Sequence, residues 1–395
     1  MYDVWLFDLI LLAVLIAYAI YGFRRGFIRS IAAFVGLAIG AVVGFFVVPL
    51  IGNWVPDSNW RVAVVLASAI VIVIGGYAAG VAVGSRLGKR AWETALHVPD
   101  RLLGAVVNVI ATALVVALIS TSLASFGIPL LSRAIGQSTV LRVIAALTPD
   151  PLESFLAQVR STLVDDGLPA ITEALGGIVD APDIPDVETG TDALSTASQS
   201  VVRITGTAAA CSQNQAGSGF IVAKGRVVTN AHVVSGVSQP VIETRDGQVL
   251  TGTIVYFDPK DDLAVIAVPG LKAAALVLAD TVGRNATGVI DGYPFGGPFV
   301  TNPAKVVSVD TASVNDIYGT SRSDREVYSL ATTVNEGDSG GPFLTEKGEV
   351  AGVVFAKSAN TANLGYAMTM KELDPVAEQA PGLSAEVPSG TCVRG

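Results

Sequence analysis

Four long apolar segments in the first third of the chain constrain its fold more than any other feature. They cover residues 4–22, 27–51, 61–84 and 102–125, and each approaches or exceeds the roughly 20 residues that a helix needs to cross a bilayer. Lipid offers no partner to backbone polar groups, so a spanning segment must satisfy them within its own helix. The first segment is not a cleavable signal, because its basic residues follow the apolar run and three more spans come after it. The sequence therefore predicts a four-helix transmembrane bundle over residues 1–126.

The basic residues predict which side of the membrane each loop faces. Three arginines lie at residues 24–29, between the first two spans, and four basic residues lie at 86–101, between the last two. The loop between the second and third spans has only Arg61 at its edge. The positive-inside rule places both basic loops in the cytoplasm. We therefore expect a multi-pass protein of the inner membrane, with both termini and everything after about residue 126 in the periplasm.

Glycines recur every four residues in two of the spans. One ladder runs from Gly36 to Gly44 and the other from Gly76 to Gly88. Such ladders let helix backbones approach closely. One interpretation is that the second and third spans pack on each other within one bundle, and another is a homo-oligomeric contact between copies of the chain.

The charge distribution divides the chain into three regions. The chain is 51% hydrophobic and 15% charged, and its net charge is +5 over residues 1–142, −9 over 143–195 and −5 over 196–395. These shifts predict the membrane domain, a connector over residues 127–197 and a soluble domain over 198–395. The soluble part has no basic stripe, so nucleic acid is not an expected partner.

The connector combines two kinds of sequence. The stretch 152–160 has apolar residues at helical spacing and predicts short amphipathic helices, lying at the membrane surface or against the soluble domain. Residues 180–195 are acidic and contain prolines, which is typical of an extended, solvated linker.

The soluble region has the pattern of an all-β domain. From about residue 198, short runs rich in β-branched residues alternate with Gly, Asn, Asp and Pro. Many short strands with turn residues between them predict a barrel or a sandwich. A segment of this length suits a pair of six-stranded barrels with a cleft between them.

Three residues in this region have the types and order of a nucleophilic triad. His232 is the only histidine after residue 97, and Ser339 lies in the glycine-dense string Gly-Asp-Ser-Gly-Gly-Pro. A serine hydroxyl needs a base to take its proton, and the base needs a carboxylate to hold its tautomer. Between them lies Asp-Pro-Lys-Asp-Asp-Leu-Ala-Val, in which Asp262 competes with Asp258 and Asp261 for the role of the carboxylate.

Four motifs resemble the chymotrypsin-like proteases of the HtrA type. They occur in the family's order and read Ser218-Gly-Phe-Ile-Val, Val228-Thr-Asn-Ala-His-Val-Val, Asp258-Pro-Lys-Asp-Asp-Leu-Ala-Val and Glu336-Gly-Asp-Ser-Gly-Gly-Pro. The first 140 residues, with Gly22-Phe-Arg-Arg-Gly-Phe after the first span, resemble the colicin V production protein family. The whole arrangement is similar to the membrane-anchored periplasmic serine proteases that give mycobacteria acid resistance.

The resemblance implies roles for particular residues. It makes Ser339 the nucleophile, His232 the base and Asp262 the carboxylate that precedes the Leu-Ala-Val strand. The implied oxyanion hole is the backbone of Gly337, Asp338 and Ser339. The implied substrate pocket and the edge strand that pairs with substrate are formed by Thr333, Phe355, Ala356 and Lys357.

The two cysteines, Cys211 and Cys392, both fall in the region expected outside the cytoplasm. An even count without metal-ligand spacing, in an oxidising compartment, favours one disulfide over two free thiols.

Together these features predict a membrane-tethered periplasmic serine endopeptidase. The resemblance implies cleavage of cell-envelope proteins in acid and oxidative stress, with a peptidoglycan hydrolase as one candidate substrate. We expect no cofactor and no metal. The alternatives are a catalytically idle module that holds peptides in the barrel cleft, and a transport-type membrane protein with a regulatory barrel domain.

Overall fold

The described part of the chain divides into two units. The structure, a computed structural model, describes residues 2–54, 58–92, 97–124, 129–149, 151–152, 158, 170–171, 182–211 and 213–393. One unit is Leu6–Ala117, and the other is Leu118–Gly395 together with Met1–Trp5.

Long helices form the first unit, as the apolar segments predict. They are α1 (Tyr2–Arg25), α2 (Phe27–Trp54), α3 (Ser58–Trp92) and α4 (His97–Ala124). Each contains a stretch long and apolar enough to cross a membrane. Most of their large apolar side chains are exposed, as expected for helices that face lipid rather than water.

The glycine ladders bring α2 and α3 into backbone contact within one chain. A Cβ at Gly76 would lie 2.5 Å from Gly36 O and 2.7 Å from Gly40 Cα, which is closer than real atoms approach. Only glycine therefore fits at this crossing. The structure supports the interpretation of packing within one bundle.

The polar residues in this unit are also used for packing. Asn108 is buried on α4 and donates to Ser30 Oγ at 2.7 Å and to Gly104 O at 2.8 Å. Asp100 accepts from the backbone N–H of Ile28 at 3.1 Å, at the start of α2. These bonds satisfy polar groups that would otherwise be costly in an apolar setting.

The connector includes ordered segments. Helices α5 (Pro129–Gly136) and α6 (Thr139–Leu147) follow the last span, and Gly136 lies against Val249 of the soluble domain. The predicted amphipathic stretch 152–160 lies outside the described residues except for positions 152 and 158. Further along, β1 (Ala170–Ile171) is a two-residue strand.

The prediction of an extended linker over 180–195 is wrong for its last residues. Residues 182–188 form neither helix nor strand, but α7 (Asp192–Ser198) begins within the segment. Thr191 Oγ1 caps this helix by accepting from Leu194 N at 3.3 Å. Leu194 is buried in a hydrophobic cluster whose members come from both halves of the soluble domain, and this apolar packing makes the segment part of the domain.

The first barrel closes through a single glycine. Its sheet order is β6-β5-β2-β3-β4-β8-β7, and all the pairings are antiparallel. Only Gly252 separates β6 from β7, so the chain that pairs with β5 continues directly into the strand that pairs with β8. The short helix α8 (Ala231–Val234) follows β4. The strands are β2 (Val201–Ala208), β3 (Gln213–Ala223), β4 (Arg226–Thr229), β5 (Val241–Thr244), β6 (Val249–Thr251), β7 (Thr253–Asp258) and β8 (Leu263–Ala267).

The second barrel has six strands and closes between β13 and β14. The strand order is β13-β12-β9-β10-β11-β14, and β1 is added to β13 in parallel. Helix α9 (Met370–Gln379) follows the last strand and packs on the barrel core through Leu373. The prediction of an all-β double barrel is confirmed. The strands are β9 (Thr287–Gly292), β10 (Val300–Asn315), β11 (Arg322–Ala331), β12 (Pro342–Thr345), β13 (Val350–Ser358) and β14 (Leu364–Thr369).

A disulfide joins the C-terminal tail to the first barrel. Cys211, between β2 and β3, is bonded to Cys392 across a sequence separation of 181 residues. The tail also accepts a hydrogen bond at Ser389 O from Gly236 N, at 3.1 Å. Gly236 lies two residues after α8, so the tail is held beside the helix that carries His232. The predicted bridge is confirmed.

Replacing Gly76 by leucine should force α2 and α3 apart. We expect Gly76→Leu to destabilise the helical unit by about 1–3 kcal/mol, since overpacking costs energy of that order. The matched control is Gly75→Leu, because nothing lies within 4 Å of a Cβ at Gly75. Thermal unfolding of the full chain in detergent, followed by tryptophan fluorescence, measures the difference. Equal melting temperatures for the two variants would contradict the helix crossing.

Candidate active site

His232 lies on the short helix that follows strand β4 of the first barrel. This helix is α8, and only 7% of the surface of His232 is exposed. Its ring Nδ1 lies 2.8 Å from Asp262 Oδ2 and 3.0 Å from Oδ1. Its backbone N–H donates to Asp262 Oδ1 at 2.9 Å. One carboxylate therefore holds both the ring and the main chain of this histidine.

Asp262 reaches the histidine because of an unusual backbone conformation. It lies in the turn between β7 and β8 with φ of 56° and is 3% exposed. Aspartate is among the few non-glycine residues that adopt this left-handed region. Asn230 Nδ2 donates to Asp262 O at 2.9 Å and holds the turn. The side chain is thus aimed inward from a loop that would otherwise face solvent.

The two competing carboxylates have other contacts. Asp258 Oδ1 accepts from Lys260 N at 2.9 Å and from Asp261 N at 3.2 Å, which makes Asp258 the first residue of a turn. Asp261 Oδ1 lies 3.9 Å from Arg325 Nε. Of the three, only Asp262 has a contact with His232 among the described residues.

Ser339 lies in the loop between β11 and β12, and this loop packs against the residues that precede α8. It is 2% exposed, and its Oγ has no hydrogen-bond partner within the described part of the chain. The next residue, Gly340, has φ of 82°, and a Cβ there would lie 3.1 Å from Asn230 N. Gly340 N donates to Val354 O at 2.8 Å. The glycines therefore allow the serine loop to pass against the residues that precede α8.

Two backbone N–H groups in the Ser339 loop have no backbone partner among the described residues. Gly337 has φ of 93°, and its Cα packs against backbone atoms of residues 293–296. Asp338 N donates to Asn335 O at 3.1 Å, so this N–H is already used. Gly337 N and Ser339 N have no backbone partner among the described residues. Of the three groups predicted for an oxyanion hole, Asp338 is therefore unsuited and the other two remain.

The residues predicted to form the substrate pocket are distributed along β13 and the loop before the serine. Thr333 is exposed, and its carbonyl accepts from Asn302 Nδ2 at 3.3 Å. Phe355 is buried in the barrel core. Lys357 pairs with Gly365 on one side and with Ala170 of β1 on the other. A segment of the same chain thus lies along the edge strand that was predicted to receive substrate.

Two polar residues at the site were not assigned a role from the sequence. Asn230 and Ser218 each lie inside a quoted motif, but only the structure shows their partners. Asn230 holds the Asp262 turn, and Ser218 is a fully buried residue of β3 whose hydroxyl donates to the serine loop at Gly337 O. Both are polar residues at positions that the surrounding apolar pattern predicts to be buried, and this is the sequence signal that would have indicated a role for them.

The comparisons with known proteins agree with this architecture. Residues 7–149 match the colicin V production protein family, and residues 217–353 match the trypsin-like peptidase domain. Fold and site together define a trypsin-like serine protease preceded by apolar, membrane-type helices.

Full-length relatives make the assignment more specific. Serine protease Rv3671c of Mycobacterium tuberculosis H37Rv is 32% identical over 397 residues, covering 98% of this chain and 98% of that protein. The chain therefore belongs to the family of serine proteases represented by Rv3671c. The crystal structure of the Rv3671c protease in its active form is 33% identical, covers 56% of this chain and 100% of that one, and has a TM-score of 0.51. The putative serine protease HhoB of Synechocystis is 34% identical over 172 residues, which is 41% of this chain and 39% of its own length.

Two further carboxyls are buried close to the serine loop. Burial raises the pKa of Asp338 from 3.8 to about 7, against the lowering effect of a hydrogen bond from Asn335 N and of the Lys357 charge. Burial also raises the pKa of Asp291 from 3.8 to about 7, although Thr301 Oγ1 donates to Asp291 Oδ1 at 2.7 Å. Asp291 Oδ2 is buried without a partner among the described residues, as suits a protonated carboxyl.

These two carboxyls should make the barrel domain more stable in mild acid. A raised pKa means that the folded state binds more protons than the unfolded state between about pH 4 and 7. Each carboxyl then contributes stability that is lost as pH rises through 7, by at most about 1.4 kcal/mol per pH unit. We expect Asp291→Asn and Asp338→Asn each to flatten this dependence, and the exposed Asp310→Asn to leave it unchanged. Calorimetry of the full chain at pH 5 and pH 7.5 measures it, and a barrel domain equally stable at both values would contradict the expectation.

Proposed function

We propose that the chain is a membrane-tethered, extracytoplasmic serine endopeptidase that uses Ser339, His232 and Asp262. The observation that carries the proposal is the buried contact of 2.8 Å between His232 Nδ1 and Asp262 Oδ2, beside a serine in a glycine-rich loop. A nucleophile, a base and a group that orients the base are the components that acyl transfer requires.

Each member of the triad has a separate task. Ser339 Oγ attacks the peptide carbonyl while His232 Nε2 takes its proton and later gives it to the leaving amine. Asp262 fixes the tautomer with the proton on Nδ1 and stabilises the imidazolium that forms. Ser339 Oγ has no hydrogen-bond partner among the residues that the structure describes. The bond to His232 is expected to form when substrate binds, because catalytic hydrogen bonds often tighten only in that complex.

The backbone N–H groups of Gly337 and Ser339 are the proposed oxyanion hole. Both are free of backbone partners in the described structure, and they lie on either side of the occupied Asp338 N–H. Such donors are oriented before the reaction and act where negative charge develops. Each is worth about 3–4 kcal/mol of transition-state stabilisation.

The proposed substrates are proteins of the cell envelope. A protease domain outside the cytoplasm and tied to the bilayer can reach only proteins near the membrane surface. Thr333, the residue assigned to the pocket, carries no charge, so we do not expect a strong preference for Arg or Lys at the cleavage site. A role in acid and oxidative stress follows from the family resemblance, and a peptidoglycan hydrolase is one candidate substrate.

Substitutions in the triad test the catalytic assignment. We expect Ser339→Ala to lower kcat by 10⁴-fold or more, and Asp262→Asn to lower it by about 10³- to 10⁴-fold because the imidazole tautomer is no longer fixed. The matched control is Asp261→Asn, which should stay within about threefold of wild type. Peptide hydrolysis by the purified full-length proteins measures all three. Residual activity in Ser339→Ala near the wild-type level would exclude the mechanism.

Reporter fusions test the proposed side of the membrane. Alkaline phosphatase folds only where disulfides form, so we expect activity when it is fused after Gln137 and none when it is fused after Arg90, in the basic loop. A green fluorescent protein fused at the same positions should give the opposite pattern. Active phosphatase at Arg90 together with inactive phosphatase at Gln137 would place the protease domain in the cytoplasm.

A further inference from the structure

Ser218 connects the first barrel, the second barrel and the serine loop through four hydrogen bonds. It lies on β3 and is completely buried. Its hydroxyl donates to Gly337 O at 2.7 Å and accepts from Tyr293 N at 2.9 Å. Its backbone N–H donates to Ser339 O at 2.8 Å, and its carbonyl accepts from Thr229 Oγ1 at 2.7 Å.

Two of these bonds fix the backbone on either side of Asp338. The Gly337 carbonyl belongs to the peptide group between residues 337 and 338, and the Ser339 carbonyl belongs to the peptide group between 339 and 340. Holding both carbonyls defines the path of the chain between them. The direction of the Ser339 N–H depends on that path, because its peptide group lies between the two that are held.

The backbone around Gly337 is held at several points, and its own carbonyl is held by Ser218. Gly337 has a positive φ of 93°. Glycine can adopt many other backbone conformations, so contacts with neighbouring groups must hold this one. Glu336 O accepts from Phe295 N, and this bond holds the peptide group that precedes Gly337. The Ser218 hydroxyl is the side-chain donor to Gly337 O among the described residues. It holds the carbonyl end of the peptide group between residues 337 and 338, while the bond from Asp338 N to Asn335 O holds the N–H end.

We propose that Ser218 is a positioning residue for the oxyanion hole. Its hydroxyl holds the Gly337 carbonyl away from the site and thereby keeps the Ser339 N–H directed into the hole, while the bond from Phe295 N to Glu336 O holds the peptide group that carries the Gly337 N–H. It does not touch substrate. The inference deepens the proposed function and rests on it, since the hole has a role only if Ser339 is the nucleophile.

The first test replaces Ser218 by alanine in the full-length protein. We expect Ser218→Ala to lower kcat by about 10- to 100-fold, less than the loss of a whole oxyanion donor, with KM changed by less than about threefold. Affinity for a peptidyl boronic acid, whose tetrahedral adduct places an oxygen in the hole, should fall by a similar factor. Affinity for the corresponding product peptide should not change.

The matched control is Ser198→Ala. Ser198 is also buried, and its hydroxyl likewise donates one bond, to Ser195 O, and accepts one, from Arg245. This variant should lose stability of the same order as Ser218→Ala while keeping wild-type kcat and boronate affinity. Equal kinetic effects in the two variants would assign Ser218 a structural role only and would overturn the inference.

A second substitution keeps the test decisive if the alanine variant does not fold. Ser218→Cys preserves the volume of the side chain but replaces the hydroxyl by a weak donor, so kcat and boronate affinity should fall together. A folded cysteine variant with wild-type kcat would overturn the inference, as would failure of both variants to fold. In each of these cases loss of activity in Ser339→Ala would still uphold the proposed function, so the two can fail separately.

Discussion

The pairing of Asp262 with His232 is the interaction on which the rest of the protease domain depends. An ionised carboxylate that is almost completely removed from water is costly unless hydrogen bonds replace its hydration. Asp262 accepts from the backbone N–H of His232 and lies within hydrogen-bond distance of its ring Nδ1. Asn230 holds its backbone in a left-handed conformation. The β7–β8 turn and α8 are thus fixed relative to each other by polar contacts that solvent cannot replace.

A second polar layer lies between the barrels and determines the shape of the serine loop. Ser218 bonds to both sides of this loop, and the buried Asp338 carboxyl accepts from Asn335 N within it. Asp291 lies on the neighbouring strand β9 with one oxygen unpartnered among the described residues. Buried polar groups of this kind stabilise a fold only when they are satisfied. Proton uptake removes the charge that burial disfavours, which connects the stability of this layer to the acidity of its surroundings.

The sequence predicted the features that follow from local composition and from fixed motif order. Apolar length was enough for the four helices, and the spacing of His232 and Ser339 was enough for the class of chemistry. The choice of Asp262 over its two neighbours needed the family pattern. Asp262 contacts His232 because its backbone adopts a left-handed conformation. The neighbouring residues in the sequence do not predict that conformation.

Non-local packing decided the features that the sequence did not predict. Residues 180–195 have a linker's composition, but Leu194 is buried in a hydrophobic cluster shared by the two barrels, and it lies on a short helix. Nothing in the sequence distinguishes the Asp338 N–H from its neighbours as an oxyanion-hole donor, but in the fold it donates to the carbonyl of Asn335. Ser218 reads as an ordinary strand serine, because its partners lie 75 and 119 residues further along the chain.

Covalent labelling tests the central claim, that a buried imidazole–carboxylate pair activates one particular serine. The full-length protein would be treated with a fluorophosphonate and digested, and the modified residue would be located by mass spectrometry. The account predicts a single adduct on Ser339, whose rate of formation falls by orders of magnitude in His232→Gln while the protein stays folded. An adduct on another serine, or labelling of Ser339 at the same rate without the imidazole, would contradict it.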